Sequence, residues 1–331
     1  MIAVTGFLIC AVIIFLAGKK LSFYGDAIAE ITGIGKAWIG LVLMASVTSV
    51  PELMVGISSS AIIQSANLAT GDILGSCAFN LGILAIMDVF MKEKRAILSE
   101  ASQSHILSAA LGVILLAMVA AGLYLPYDVY VTSWIGLTSI LFIVIYIFSV
   151  RLIYLHESKL NPSAGANDNH GFGFTLRKAV LLYIIYAVIT IVAALIIPYF
   201  AEKLAHETGL GSTFVGTLFL AASTSLPEVA VSFSAVRMGS IDISVGNLLG
   251  SNIFNILILA IDDIFYTKGY LLKDASEWNL ISALAVIIMS SIAIIGLTYR
   301  KESKKYFLAM DAGLIFVIYV LNMFLLYRFT V

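Results

Sequence analysis

Charge is scarce in this chain: 12% of its 331 residues are Asp, Glu, Lys or Arg, against about a quarter in a soluble domain. That is too little to coat a globule of this size with polar surface, and it excludes a disordered chain or a charged coiled coil. Cysteine is nearly missing. Cys10 and Cys77 both lie in apolar stretches, which excludes a disulfide framework and a cysteine metal cluster. Neither sign of charge dominates. A formal net charge of −1 and a pI near 6.4 give no footprint for a nucleic-acid partner. Proline occurs only five times. What is present is apolar: 61% hydrophobic residues and a mean hydropathy of +1.03.

A membrane span needs about 20 apolar residues. Apolar runs fall near 2–31, 37–64, 67–91, 103–123, 130–153, 176–201, 210–236, 241–266, 278–298 and 305–328, which predicts ten spans. They must be helices, because a span satisfies its own backbone hydrogen bonds, and strands of alternating polarity are not seen. The expected fold is an all-α, multi-pass integral membrane protein. The first run lacks a basic leader, so it reads as a retained span. Fifteen of the nineteen basic residues fall in odd-numbered connections, including Lys19, Lys20, Lys36, Lys92, Lys94, Arg95, Arg300, Lys301, Lys304 and Lys305. The positive-inside rule then puts those connections in the cytoplasm and both termini outside. The clusters Lys92–Arg95 and Arg300–Lys305 read as lipid-headgroup anchors.

The chain repeats itself. Thr32-Gly33-Ile34-Gly35 and its sequel to Gly40 match Thr208-Gly209-Leu210-Gly211 and its sequel to Gly216. Thr48-Ser49-Val50-Pro51-Glu52 matches Thr224-Ser225-Leu226-Pro227-Glu228 at the same offset. Gly71-Asp72-Ile73-Leu74-Gly75-Ser76-Cys77-Ala78-Phe79-Asn80 matches Gly246-Asn247-Leu248-Leu249-Gly250-Ser251-Asn252-Ile253-Phe254-Asn255, one residue short of that offset, and Asp88 and Asp263 continue the register. The predicted organisation is a first five-helix repeat over 1–155, a cytoplasmic linker over 156–175 and a second five-helix repeat over 176–331. Five is odd, so the second half enters the membrane from the opposite side. Inverted-topology repeats of this kind suit alternating access in secondary transporters. The linker contains Asn167-Asp168-Asn169, but no spaced acidic set follows to make a calcium loop.

The matched blocks carry the chemistry. Glu52 and Glu228 sit mid-span with no basic residue in either span's core. A carboxylate at bilayer depth normally faces a polar cavity or binds an ion. Pro51 and Pro227 precede them, and proline removes an N–H and clashes with the carbonyl four residues back. Both helices should therefore break at the midplane and free carbonyls around Ala45, Val47, Thr48, Ala221, Ser223 and Thr224. Thr48 and Glu52, and Thr224 and Glu228, share a helix face. So do Asp72, Ser76 and Asn80, and Asn247, Ser251 and Asn255. Gly71, Gly75, Gly246 and Gly250 would let helices approach closely. All these groups offer oxygen, which suits hard cations such as calcium, sodium or magnesium. Two carboxylates are neutralised by one divalent or by two monovalent cations, and protons compete for the same sites.

These blocks resemble the paired alpha repeats of the calcium/cation antiporter superfamily, particularly the sodium/calcium exchangers. Their T-S-L-P-E and G-N-x-x-G-S-N/C patterns stand here over 48–52, 224–228, 71–77 and 246–252, within an alpha-1 motif over 40–90 and an alpha-2 motif over 216–265. The resemblance implies that Glu52 and Glu228, with Thr48 and Thr224, bind calcium. It implies that Ala45, Ser49, Ser76, Asn80, Ala221, Ser225, Ser251 and Asn255 build sodium sites, and that the first and sixth spans slide as a gate. Val50 replaces the usual leucine, Asp72 the usual asparagine, and Asn255 an aspartate found in some members. Asp72 is therefore a candidate proton or accessory-cation site.

His105, His156, His170 and His206 are scattered and read as loop or helix-end residues. Asp26 and Glu30 lie near the inner end of the first span, either against a vestibule or in a structural role. No nucleophile triad, phosphate loop or nucleotide fingerprint is present in the sequence, so neither an enzyme nor an ATP-driven pump is expected. The expected function is calcium/sodium antiport with no cofactor and no nucleotide, by a monomer whose partners are the two ions and lipid. The short linker points to a prokaryotic plasma membrane. A calcium or other cation/proton antiporter on the same scaffold is the alternative. An intramembrane hydrolase and a channel are the rivals from other classes.

Overall fold

A computed structural model describes residues 2–91, 95–125, 134–160, 175–208, 222, 224–300, 304 and 307–330. Nearly all of them are helical. The long helices are α1 (Ile2–Thr32), the bent pair α2 (Lys36–Thr48) and α3 (Val50–Ile63), α4 (Ala66–Val89), α6 (Ser104–Tyr124), α7 (Leu137–Leu160), α8 (Leu176–Thr208), α9 (Leu226–Met238), α10 (Ile241–Phe265), α12 (Asn279–Tyr299) and α13 (Met310–Thr330). Two short turns, α5 (Ile97–Glu100) and α11 (Leu271–Asp274), lie between them. Eight helices are long and apolar enough to cross a membrane, or nine with the bent pair taken as one span, among the described residues. Each of the ten predicted runs has a helix in it; the stretch 209–221, where the seventh run begins, lies outside the described residues, as does most of the 156–175 linker.

Burial sorts the helices. The apolar windows of α4 and α10 are 72% buried, against 22% for α7 and 17% for α13. The two helices carrying the polar stripes are thus the inner ones, and α4 packs on α10. α1 lies along α8 and against α9. Ser22 Oγ, on α1, donates to Val231 O on α9 at 2.9 Å, and Tyr183 OH, on α8, donates to Leu43 O on α2 at 2.8 Å.

The inner helices end on matched aspartates. Asp88, at the end of α4, accepts from the amides of Ile97 and Ala309, both at 2.8 Å. Asp263, at the end of α10, accepts from the amides of Leu271 at 2.9 Å and Gly136 at 3.1 Å, and from Ser139 Oγ at 2.6 Å. Each aspartate ties the short turn of its own half to the residue that opens the last long helix of the other half. Buried backbone donors need such acceptors at helix starts.

Several basic residues do not behave as the sequence predicts. Lys19 and Lys20 lie inside α1 and are not in a connection. Arg300 and Lys304 are not headgroup anchors. Arg300 turns inward to donate to Ser99 O and Ala101 O, and Lys304 is buried against Asp88 Oδ2 at 3.3 Å. Backbone acceptors and a carboxylate at the helix ends compete successfully with lipid for these cations. Lys92, Lys94, Lys301, Lys305 and His170 lie outside the described residues. His105 is at a helix end as predicted, but it is fully buried and its Nε2 is 3.1 Å from Asp242 Oδ1. Asp26 and Glu30 take a structural role: both pair with Lys36, at 2.7 and 3.2 Å, and Asp26 accepts from Ser240 Oγ at 2.6 Å.

Candidate functional site

The site is built where two helices break. α2 and α3 meet at an angle of 43°. Ser49, the joint residue, has φ −88° and ψ 10°, and Pro51 stands in the first turn of α3. Ser225 stands before α9 with φ −85° and ψ 8°, and Pro227 follows in the same place. Both serines occupy the sparsely populated bridge region. The same tripeptide chemistry therefore makes the same joint twice. α2 is also underwound into wider π-type turns over Ile39–Met44, as is the far end of α3 over Ser58–Ile63. Such turns leave the regular i→i−4 ladder and are frequent at functional sites.

Glu52 and Glu228 open α3 and α9, each only 1% exposed. They are held crosswise. Ser225 Oγ donates to Glu52 Oε1 at 3.0 Å, and Ser49 Oγ donates to Glu228 Oε1 at 3.2 Å. The serine of each half thus grips the glutamate of the other, which brings the two carboxyl groups together at the centre of the fold. Thr48 and Ser251 also face Glu228.

The inner helices supply the walls. Asn80 Nδ2 donates to Asn252 Oδ1 at 3.1 Å, and Asn255 Nδ2 donates to Cys77 Sγ at 3.6 Å. Cys77 and Asn252 occupy matched positions of the repeat, so these contacts are reciprocal as well. Asn247 is fixed between Thr48 Oγ1 at 3.2 Å and Ser232 Oγ at 3.1 Å. Gly246 lets α10 meet α2: a Cβ there would fall 2.6 Å from Ala37 O, and one on Gly40 would fall 2.6 Å from Ile243 O. Gly71 is less crowded, with Asn279 Oδ1 at 3.6 Å from its would-be Cβ.

After these bonds, oxygen is left over. Glu52 Oε2 and Glu228 Oε2, Ser76 Oγ and Ser251 Oγ, and Asn80 Oδ1 and Asn255 Oδ1 are all buried with no hydrogen-bond partner among the described residues. They form three matched pairs of acceptor-capable atoms. Unpaired buried polar groups cost about 1–3 kcal/mol each, more when charged, so an arrangement that leaves six of them calls for a ligand. Two carboxylates and four neutral oxygens are the kind of donor set that a hard cation takes. No group of three His, Cys, Asp or Glu side chains with metal-holding geometry occurs among the described residues.

Of the sequence-predicted site residues, Thr48, Ser49, Glu52, Ser76, Asn80, Thr224, Ser225, Glu228, Ser251 and Asn255 are all buried in this region. Ala45 O already accepts from the Ser49 amide at 3.0 Å, so that carbonyl is not freed as expected. Ala221 and Ser223 lie outside the described residues. Asp72 is only part-buried, although its Oδ2 is enclosed and unpartnered. Cys77 and Asn252 were missed as site residues; their identical place in the two G-S-x-x-x-N blocks was the available signal.

A family model described as sodium/calcium exchanger protein matches residues 2–155 and 178–328. The sodium/calcium exchanger MaX1 of Methanosarcina acetivorans is 29% identical over 330 residues, covering 89% of this chain and 91% of the relative. The inner membrane protein YrbG of Escherichia coli is 29% identical over 290 residues, covering 82% and 85%. Among solved structures, the sodium-calcium exchanger NCX_Mj superposes with a TM-score of 0.76 at 21% identity, covering 98% of each chain, which shows a shared fold.

Proposed function

The chain belongs to the sodium/calcium exchanger protein family, and from that premise we propose that it is a secondary active antiporter exchanging calcium for sodium by alternating access. The observation that carries this reading is the set of three matched oxygen pairs around two crosswise-held glutamates. Ionised, Glu52 and Glu228 carry two negative charges. One calcium ion neutralises them, and two sodium ions do the same, so occupancy by one species excludes the other. That competition is the basis of exchange. Glu52 and Glu228 with Thr48 and Thr224 take calcium; Ser49, Ser76, Asn80, Ala221, Ser225, Ser251 and Asn255 complete the sodium sites, without the Ala45 carbonyl, which already accepts from the Ser49 amide and Thr48 Oγ1.

The reciprocal ties at Ser49 and Ser225, at Asn80 and Asn255, and at Asp88 and Asp263 support two inverted five-helix halves, over 1–155 and 176–331, related through the site. Ten spans complete this scheme, with the basic connections in the cytoplasm and both termini outside. A pair of similar halves around one fixed cage has two equivalent ways to open, one to each side. α1 and α8, which pack along each other outside the inner helices, are the elements free to slide.

The test is calcium uptake into sodium-loaded membrane vesicles. Uptake that requires the outward sodium gradient is expected; uptake indifferent to sodium overturns the sodium half of the reading. Asp72, an acid where the matched residue is Asn247, favours a second reading in which protons replace sodium. Calcium uptake driven by a pH gradient with sodium absent would select it.

A further inference from the structure

Between the central cage and the matched aspartates at the helix ends, one buried position differs between the halves. Asp262 lies near the end of α10, fully buried, and neither of its carboxylate oxygens has a hydrogen-bond partner among the described residues. Its counterpart in the first half is Met87, so the shared scaffold does not require an acid there. The carboxylate rests on Gly56: a Cβ at that glycine would collide with both oxygens, Oδ1 at 2.5 Å. Gly56 is four residues after Glu52 on α3 and shares its face. The glycine therefore leaves room for an acid one helical turn from the cage.

Asp72 stands on the third helix of the same junction, since α3, α4 and α10 pack on one another. Its Oδ2 is buried and unpartnered, and its charge acts on both Glu52 and Asp262. Ser60 Oγ, one turn beyond Gly56, is also buried without a partner. Among the described residues no basic side chain pairs with either acid. Lys268, just past α3's outer end, is exposed and donates to Gln64 O at 3.3 Å. The segments 126–133 and 209–221 contain no Lys, Arg or His. A buried carboxylate without hydrogen bonds or a counter-charge is strongly unfavourable, and a hard cation with oxygen ligands removes the penalty.

We propose that Asp262 and Asp72 form a second cation station on the outer side of Glu52, which holds calcium in series with the central cage. The station rests on the exchange reading above for its role as an entry point, but not for its existence as a binding site. Two carboxylates match the charge of one divalent cation, and Ser60 offers a neutral oxygen beside them. A cation arriving from outside meets this pair first and passes inward along the Gly56 face to Glu52.

Two measurements test the station. In the first, calcium-dependent exchange is followed in right-side-out and in inverted vesicles. Asp262→Asn should raise the apparent KM for calcium about tenfold in right-side-out vesicles, a factor worth about 1.4 kcal/mol, and by far less in inverted ones. No shift, or equal shifts on the two faces, overturns the proposal. In the second, the purified full chain is titrated with terbium and read by luminescence. Wild type should fill two classes of site, Asp262→Asn and Gly56→Ala one class, and Glu52→Gln the other. A single class in wild type, or two retained in Asp262→Asn, removes the station. Two classes in a wild-type protein that moves no calcium would instead strike the exchange reading and leave the station standing.

Discussion

The two halves agree at the centre and differ one turn away from it. Ser49 and Ser225, Glu52 and Glu228, Ser76 and Ser251, and Asn80 and Asn255 stand in matched places, and the hydrogen bonds of the serines and asparagines are reciprocal. At the next matched position the halves part. Asn247 is bonded on both sides, by Thr48 and Ser232, and closes its part of the wall. Asp72 keeps an enclosed oxygen open. An amide both donates and accepts, so it can bridge two hydroxyls; an ionised carboxylate only accepts. The difference teaches that the repeat repeats the cage and not its approaches. Under the proposed exchange, the cage must look the same from both sides of the membrane, whereas each approach serves one side.

Ordered by effect on exchange, the first prediction breaks the agreement at its centre. Glu52→Gln and Glu228→Gln should each lower sodium-dependent calcium uptake at least about a hundredfold, the scale of losing one partner in a buried ionic contact. Both proteins should keep the thermal stability of wild type within a few degrees, because neutralising a buried acid that has serine donors but no recorded counter-charge relieves a cost. Uptake near wild type in either variant would remove the glutamates from the mechanism. Next come the crosswise grips. Ser49→Ala and Ser225→Ala each delete one hydrogen bond to a carboxylate, worth about 1.5–3 kcal/mol, so calcium affinity should fall about tenfold. The two losses should be equal within about a factor of two, measured by calcium titration of uptake. Unequal losses would show that the two grips are equivalent only in the static fold.

A third change forces the halves to resemble each other where they differ. Asn247→Asp removes the donor to Ser232 Oγ and leaves an extra acid beside Thr48. It should cost about 1–3 kcal/mol of stability, seen as a lowered melting temperature in detergent. Asp72→Asn breaks no hydrogen bond that the structure records at its Oδ2 and should not lower the melting temperature. Exchange of Asn247→Asp should fall less than in the serine variants, because Asn247 touches the cage only through Thr48.

Much of this was legible in the sequence. Apolar runs of span length have few competing readings, and the helices follow those runs. The two Pro-Glu pairs announced the joints because proline has one steric consequence in a helix. Other features were not legible for physical reasons. The π-type turns of α2 carry no composition signal, since Ile39–Met44 is as apolar as its neighbours. The crosswise serine grips need the three-dimensional meeting of two joints, which spacing along one helix does not reveal. Asp262 adjoins Asp263 near a helix end and so looks like part of an interfacial pair; only the fold separates them, giving Asp263 its backbone donors and Asp262 none. Arg300 and Lys304 looked like anchors because sequence shows charge beside a span but not the inward-facing carbonyls that collect it.

The smallest effects on exchange are expected at the basic turns, where the halves differ again. Arg95 pairs with Glu100 at 3.3 Å, with both side chains solvent-accessible. An exposed pair of this kind contributes about 0–1 kcal/mol, so Arg95→Gln should leave the melting temperature and the uptake rate close to wild type. Lys304 pairs with Asp88 at 3.3 Å, with both buried. Removing one member of a buried pair strands the other, at a cost of about 3–5 kcal/mol, so Lys304→Gln should lower the melting temperature clearly. Asp88 would retain the Ile97 and Ala309 amides, which hold its position at the end of α4. The cage lies at the other side of two full helical turns from it, so the calcium affinity of the surviving folded fraction should not change. A loss of affinity in Lys304→Gln, measured on protein that remains folded, would mean that the end of α4 controls the cage, and the separation drawn between the repeated centre and its differing surroundings would have to be abandoned.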